Sequence, residues 1–124
     1  MDRLLITAAG VYGASGVLFG AFGAHALREV LSPAQLGVWE TAVNYQLLHA
    51  VALLGIGLWY GRNRARLVAA AGGCLLLGVL AFSGSLYFLA HGGPAWLGPV
   101  TPIGGTLMAA GWVCVVIAAL RAEA

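Results

Sequence analysis

"LVAAAGGCLLLGVLAFSGSLYFLA", residues 67–90, decides the fold, because twenty-four consecutive positions carry no charge. As a helix this run reaches about 36 Å, enough to cross a hydrocarbon core about 30 Å thick. Three more stretches fall within the 17–25 residues a span requires, at approximately 4–26, 39–60 and 103–120, and among them only Glu40 is charged. With those four spans taken, no room remains for a soluble domain. The whole chain agrees with that reading. Its 124 residues are 61% hydrophobic and 8% charged, with mean hydropathy +0.94, whereas soluble domains carry about 25% charged residues. Ten charges could not cover a water-facing surface. The expected object is an all-α integral membrane four-helix bundle forming one domain over residues 1–124. The first stretch exceeds the 7–15 residues of a signal-peptide core and is read as a retained helix. A net charge of +2 gives no case for nucleic acid.

Charge placement orients the chain. "GRNRAR", residues 61–66, puts three arginines in the link between the second and third spans, and short Arg-rich loops stay cytoplasmic. Both termini then lie inside, with Arg3 and Arg121, and only Arg28 lies outside.

Helix boundaries have local causes. "SPAQ", residues 32–35, supplies a cap Ser, a Pro at the first helical position and a Gln three residues after the cap, so the second helix starts near Pro33. It enters lipid at Trp39, and Trp39, Trp59 and Tyr60 suit the aromatic belts of the membrane interfaces. Thr101 followed by Pro102 predicts a similar start for the fourth helix. The Gly- and Pro-rich run before it reads as an ordered loop or re-entrant turn.

Small residues mark where helices approach one another. Gly13, Gly16, Gly20 and Gly23 fall on one face of the first helix, and such stripes let backbones close together where lipid supplies no hydrophobic drive. Intramolecular packing is the first expectation and a homo-oligomer contact the second. Gly73 with Gly84, and Gly104 with Gly111, repeat the pattern. Cys74 and Cys114 sit inside spans and read as small apolar side chains.

Polar residues inside the spans point to a site. In "ETAVNYQLLHA", residues 40–50, His49 lies about 15 Å below the boundary at Trp39, near the bilayer centre. Tyr45 and His49 share one face, and Glu40 and Asn44 another. Ser15 and Ser83 are partners at matching depth, and His25 and Tyr87 approach the level of Glu40. The candidate cluster is His25, Glu40, Asn44, Tyr45, His49, Ser83, Ser85 and Tyr87. An unpaired polar group in hydrocarbon costs several kcal/mol, so these groups must bond one another, a ligand or water. Glu40 is expected to pair with His25 or Arg28. His25, Glu40 and His91 share the outer end, but their spacing demands no metal site and none is assigned. No catalytic residue is assigned either: "FSGS" lacks the flanks of a nucleophile elbow, and the glycines form no phosphate loop. No cofactor is expected.

Four motifs in order, "GAFGAHAL" at 20–27, "ETAVNYQLLHA" at 40–50, "FSGSLY" at 82–87 and "TPIGG" with a later "GW" at 101–112, resemble domain-of-unknown-function family 423. These are small bacterial inner-membrane proteins with relatives among small eukaryotic transmembrane proteins. The resemblance spans the whole chain and implies a four-helix protein of the plasma membrane. It brings no activity and no catalytic residues. Two functional expectations follow from the residues. The first is non-enzymatic binding of a lipid-like ligand, a lipid or quinone, or of a membrane partner, through a polar cluster open toward the outer leaflet. The second is an oligomeric transporter or channel for a small solute or proton.

Overall fold

The computed structural model describes residues 1–122. Four long helices run α1 (Asp2–His25), α2 (Pro33–Asn63), α3 (Arg66–Ala90) and α4 (Val100–Arg121). All four are long and apolar enough to span a membrane. The links are short, which makes chain neighbours antiparallel. A 3₁₀ turn, Leu27–Glu29, follows α1, and another, Ala95–Leu97, precedes α4.

The starts and stops follow from the residues at them. Ser32 Oγ accepts from the Gln35 N–H while Gln35 Oε1 accepts from the Ser32 N–H, the reciprocal cap read from the sequence. α2 ends where Arg64 takes a left-handed backbone, φ 56°, closing onto the Tyr60 carbonyl. The Asn63 side chain then accepts from the Ala65 N–H, so α3 starts two residues later. Asp2 lies 3.8 Å from Arg64, tying the start of α1 to this turn. That end, with the Arg-rich turn, the start of α1 and the finish of α4, is called here the basic end; the opposite one is the loop end. The start of α4 differs from expectation. Pro99, which offers no capping side chain, precedes Val100 at the first helical position. Thr101 already lies inside the helix, with its hydroxyl 2.6 Å from Ser85 Oγ. Pro102 is tolerated because the first turn of a helix has no partners for its N–H groups anyway.

Packing follows chain order. α1 lies on α2, α2 on α3 and α3 on α4; α1 approaches α3 only slightly, and α1 and α4 make no backbone approach among the described residues. α2 and α3 are therefore the inner helices, as the polar load of α2 requires, and α1 and α4 flank them. The basic half is closed by Leu5, Leu53, Val68, Leu75, Val79 and Met108. The loop end is closed by Leu27, Leu31, Trp39, Val43 and Ala90.

Glycine sets the tightest crossings. A Cβ on Gly104 would run into the backbone nitrogen of Phe82 and lie 2.7 Å from the Gly78 carbonyl. One on Gly111 would lie 2.8 Å from Leu75. On α1, Gly16 seats Leu47 and Gly23 seats the indole of Trp39, with would-be Cβ distances of 2.7 and 2.6 Å; Gly20 lies more loosely against Val43 at 3.3 Å. Gly13 meets nothing within 4 Å, and neither do Gly73 or Gly84. The packing stripe of α1 is thus Gly16, Gly20 and Gly23. The α3 face of the α3–α4 contact is Gly78 rather than Gly73 and Gly84, because Gly78 is the glycine of α3 that faces α4.

Candidate functional site: a cleft with a polar floor

Four polar side chains are buried within the spans: Gln46, His49, Ser83 and Ser85. Gln46 is central. Its Nε2 donates to the Tyr12 carbonyl at 2.9 Å and to Ser15 Oγ at 2.7 Å, and its Oε1 accepts from the Tyr87 hydroxyl. The amide orientation is forced, since a carbonyl can only accept and the atom facing Tyr12 must be the nitrogen. One side chain of α2 therefore links α1 and α3. Ser15 passes its own proton to the Val11 carbonyl, and the Tyr12 hydroxyl donates to the Leu76 carbonyl. Ser83 donates to Ala42 O at 2.8 Å, a second tie between α3 and α2.

Because α1 and α3 barely meet, they leave a cleft of about 210 Å³ over this network. Val11, Phe19, Val79 and Leu80 form its apolar walls; Ser15, Gln46, Ser83 and Tyr87 form its floor. Aromatic rings close it toward the loop end. Tyr87 meets Trp39 and Phe19 at centroid distances of 4.6 and 5.1 Å, and the Trp39 N–H donates to the Phe19 carbonyl at 2.9 Å. Trp39 is thereby buried between helices, not spread at the membrane surface as the belt reading had it.

His49 belongs to a different contact. Its Nε2 accepts from the Trp112 indole at 3.0 Å and its Nδ1 lies 2.8 Å from the Tyr45 carbonyl. An indole nitrogen only donates and a carbonyl only accepts, so the proton sits on Nδ1. Tyr45 stacks on the imidazole and packs against Phe82. The Trp112–His49 hydrogen bond bridges α2 to α4, whose backbones do not approach among the described residues. Of the two partners open to a neutral His49, Ser15 or a backbone carbonyl, the Tyr45 carbonyl takes the place and Ser15 serves Gln46.

The eight sequence candidates thus divide. Ser83 and Tyr87 line the cleft, and His49 with Tyr45 forms the contact to α4. Ser85, donating to Phe82 O and bonded to Thr101, clasps the start of α4. His25, Glu40 and Asn44 are exposed at the loop end. Glu40 pairs with neither His25 nor Arg28; it lines a shallow hollow beside Gly20, Gly23 and Asn44. His91 turns its ring edge-on to Trp39, and among the described residues no three metal-ligating groups gather. Sequence reasoning missed Gln46, Tyr12 and Trp112 as members. Gln46 stood in the quoted run, and its signal was a neutral amide at mid-span, which needs both donors and acceptors matched.

Four apolar helices with a polar seam between them define a small multi-pass membrane protein. The comparisons give it a family: residues 19–105 match the family model described as "Protein of unknown function (DUF423)", and the chain belongs to that family. It is 48% identical over 102 residues to a "UPF0382 membrane protein" of Staphylococcus epidermidis, covering 82% of this chain and 83% of that one. To the "UPF0382 inner membrane protein YgdD" of Escherichia coli it is 34% identical over 120 residues, covering 97% and 92%. No solved structure matches. The chain is a multi-pass protein of the inner, plasma membrane.

Proposed function

We propose that this protein binds a lipid-like ligand in the cleft between α1 and α3. The observation that carries the reading is the pairing of apolar walls, open to the membrane between two separated helices, with a hydrogen-bonding floor at mid-span. Drug-sized ligands occupy pockets of roughly 300–1,000 Å³, so about 210 Å³ suits the head and first part of one chain, the remainder lying along the helices in lipid. If the Arg-rich turn is cytoplasmic, the cleft belongs to the outer half of the bilayer. The test is photo-crosslinking in native membranes with a diazirine fatty acid that the cell builds into its lipids. Adducts on Val11, Phe19 and Leu80 support the reading, and adducts spread evenly over the lipid-facing surfaces of all four helices count against it.

A second reading is an oligomer that moves a small solute or proton. It is favoured by the face that α1 leaves uncovered. There Gly10 and Gly13 meet no neighbouring atom and, with Ile6, Ala9, Ala50 and Leu54, border a groove of about 350 Å³. A second copy could close there by small-residue packing. Flux across liposomes that depends on His49→Ala would support that reading; monomers in gentle detergent and no flux would end it.

A further inference from the structure

Every donor in the cleft is already spent. Both amide hydrogens of Gln46 are used, on Tyr12 O and Ser15 Oγ. The hydroxyl protons of Tyr87, Ser15, Tyr12 and Ser83 go to Gln46 Oε1, Val11 O, Leu76 O and Ala42 O. The indole N–H at the loop end of the cleft goes to Phe19 O. What remains is acceptor capacity. A hydroxyl oxygen has two lone pairs and a carbonyl oxygen two. Gln46 Oε1 and Ser15 Oγ each accept one bond and retain one lone pair, and the hydroxyl oxygens of Tyr87, Tyr12 and Ser83 donate without accepting and keep theirs. A head group that only accepts, such as a quinone carbonyl or an ester, gains no hydrogen bond here without breaking one of the existing set. A head group that donates can use a free lone pair and leave every existing bond in place.

Charge narrows the choice further. No acidic or basic side chain lines the cleft, and an ammonium at this depth would be an uncompensated charge in hydrocarbon. A neutral hydroxyl is free of that penalty. We infer that the cleft selects lipids by a neutral hydroxyl donor, the chemistry of a long-chain or isoprenoid alcohol or a diglyceride, and discriminates against acceptor-only heads. This inference rests on the cleft being the ligand site proposed above.

The test uses three diazirine probes sharing one alkyl chain, a primary alcohol, its methyl ether and the matching methyl ketone. Each is applied to the full-length protein in lipid nanodiscs, and adducts are mapped by peptide mass spectrometry. The alcohol is expected to label cleft residues about fivefold more than the ether or ketone, the ratio that one hydrogen bond of ordinary net strength supplies. Gly84→Phe, which fills the cleft from a position with open space around it, should abolish that labelling. Gln46→Leu releases the Tyr87 proton, so in that variant the ketone should gain on the alcohol. Equal cleft labelling by all three probes overturns the donor selection while leaving the cleft as a lipid site. Absence of cleft labelling by any probe, or labelling that survives Gly84→Phe, overturns the site itself.

Discussion

At the scale of single residues, one amide holds three helices. Replacing Gln46 with Leu would leave the Tyr87 hydroxyl without a partner and remove the second bond of the Tyr12 carbonyl, which keeps its helical one. A buried group so orphaned costs roughly 1–3 kcal/mol, and measured interhelical bonds in bilayers fall toward or below the lower value, about 0.6 on average. Gln46→Leu should therefore lower stability by about 1–3 kcal/mol in a reversible denaturation assay in mixed micelles, and Tyr87→Phe by less. No change in either would mean the network is not a tie. His49 is tested differently. Nitrogen-15 spectra should show the neutral ring with its proton on Nδ1, and Trp112→Phe should move the Nε2 resonance; a proton on Nε2 would contradict the contact. The sequence exposed polar residues at depth but not their partners. The i, i+4 ladders placed Tyr45 with His49 correctly on one face, yet helical spacing cannot say which face turns inward. Gln46 belongs to neither ladder read from the sequence, and it faces α1 and α3.

Between elements, the crossing of α3 and α4 has the least slack. Gly104→Ala should destabilise strongly or shift α4, since its methyl would meet backbone rather than a flexible side chain. Gly13→Ala should be close to neutral, with open space around it. A side-by-side comparison of melting temperatures in detergent checks both; equal losses would refute the assigned faces. The number of membrane-spanning helices was readable in advance because crossing a membrane is a one-dimensional demand on length and hydropathy. The cap at Ser32 was equally readable, being contained in four residues. The start of α4 was not, since the hydroxyl of Thr101 could cap its own helix or bond a neighbour, and only the presence of Ser85 beside it settles the choice. Glycine spacing likewise identified helices that approach closely, while the choice among Gly73, Gly78 and Gly84 depended on the rotation of α3 about its axis.

For the molecule as a whole, the open row of helices matters more than the bundle description alone conveys. Flanking helices that make no backbone approach to each other among the described residues leave α2 and α3 to carry the polar seam, and the gap between α1 and α3 opens onto part of that seam. We propose that the basic end faces the cytoplasm, because Arg3, Arg62, Arg64, Arg66 and Arg121 gather there. A fluorescent protein that matures only in the cytoplasm, fused after residue 124, should be bright, and a periplasm-active reporter at the same place silent; the opposite pattern reverses the orientation. We propose above all that the α1–α3 cleft holds a lipid-like ligand. Native mass spectrometry of the protein released gently from its own membrane tests it most directly, with wild type beside Gly84→Phe. A discrete extra mass is expected on the wild type and is expected to be absent from the variant. Wild-type protein with no retained mass, or a mass kept equally by Gly84→Phe, would contradict it.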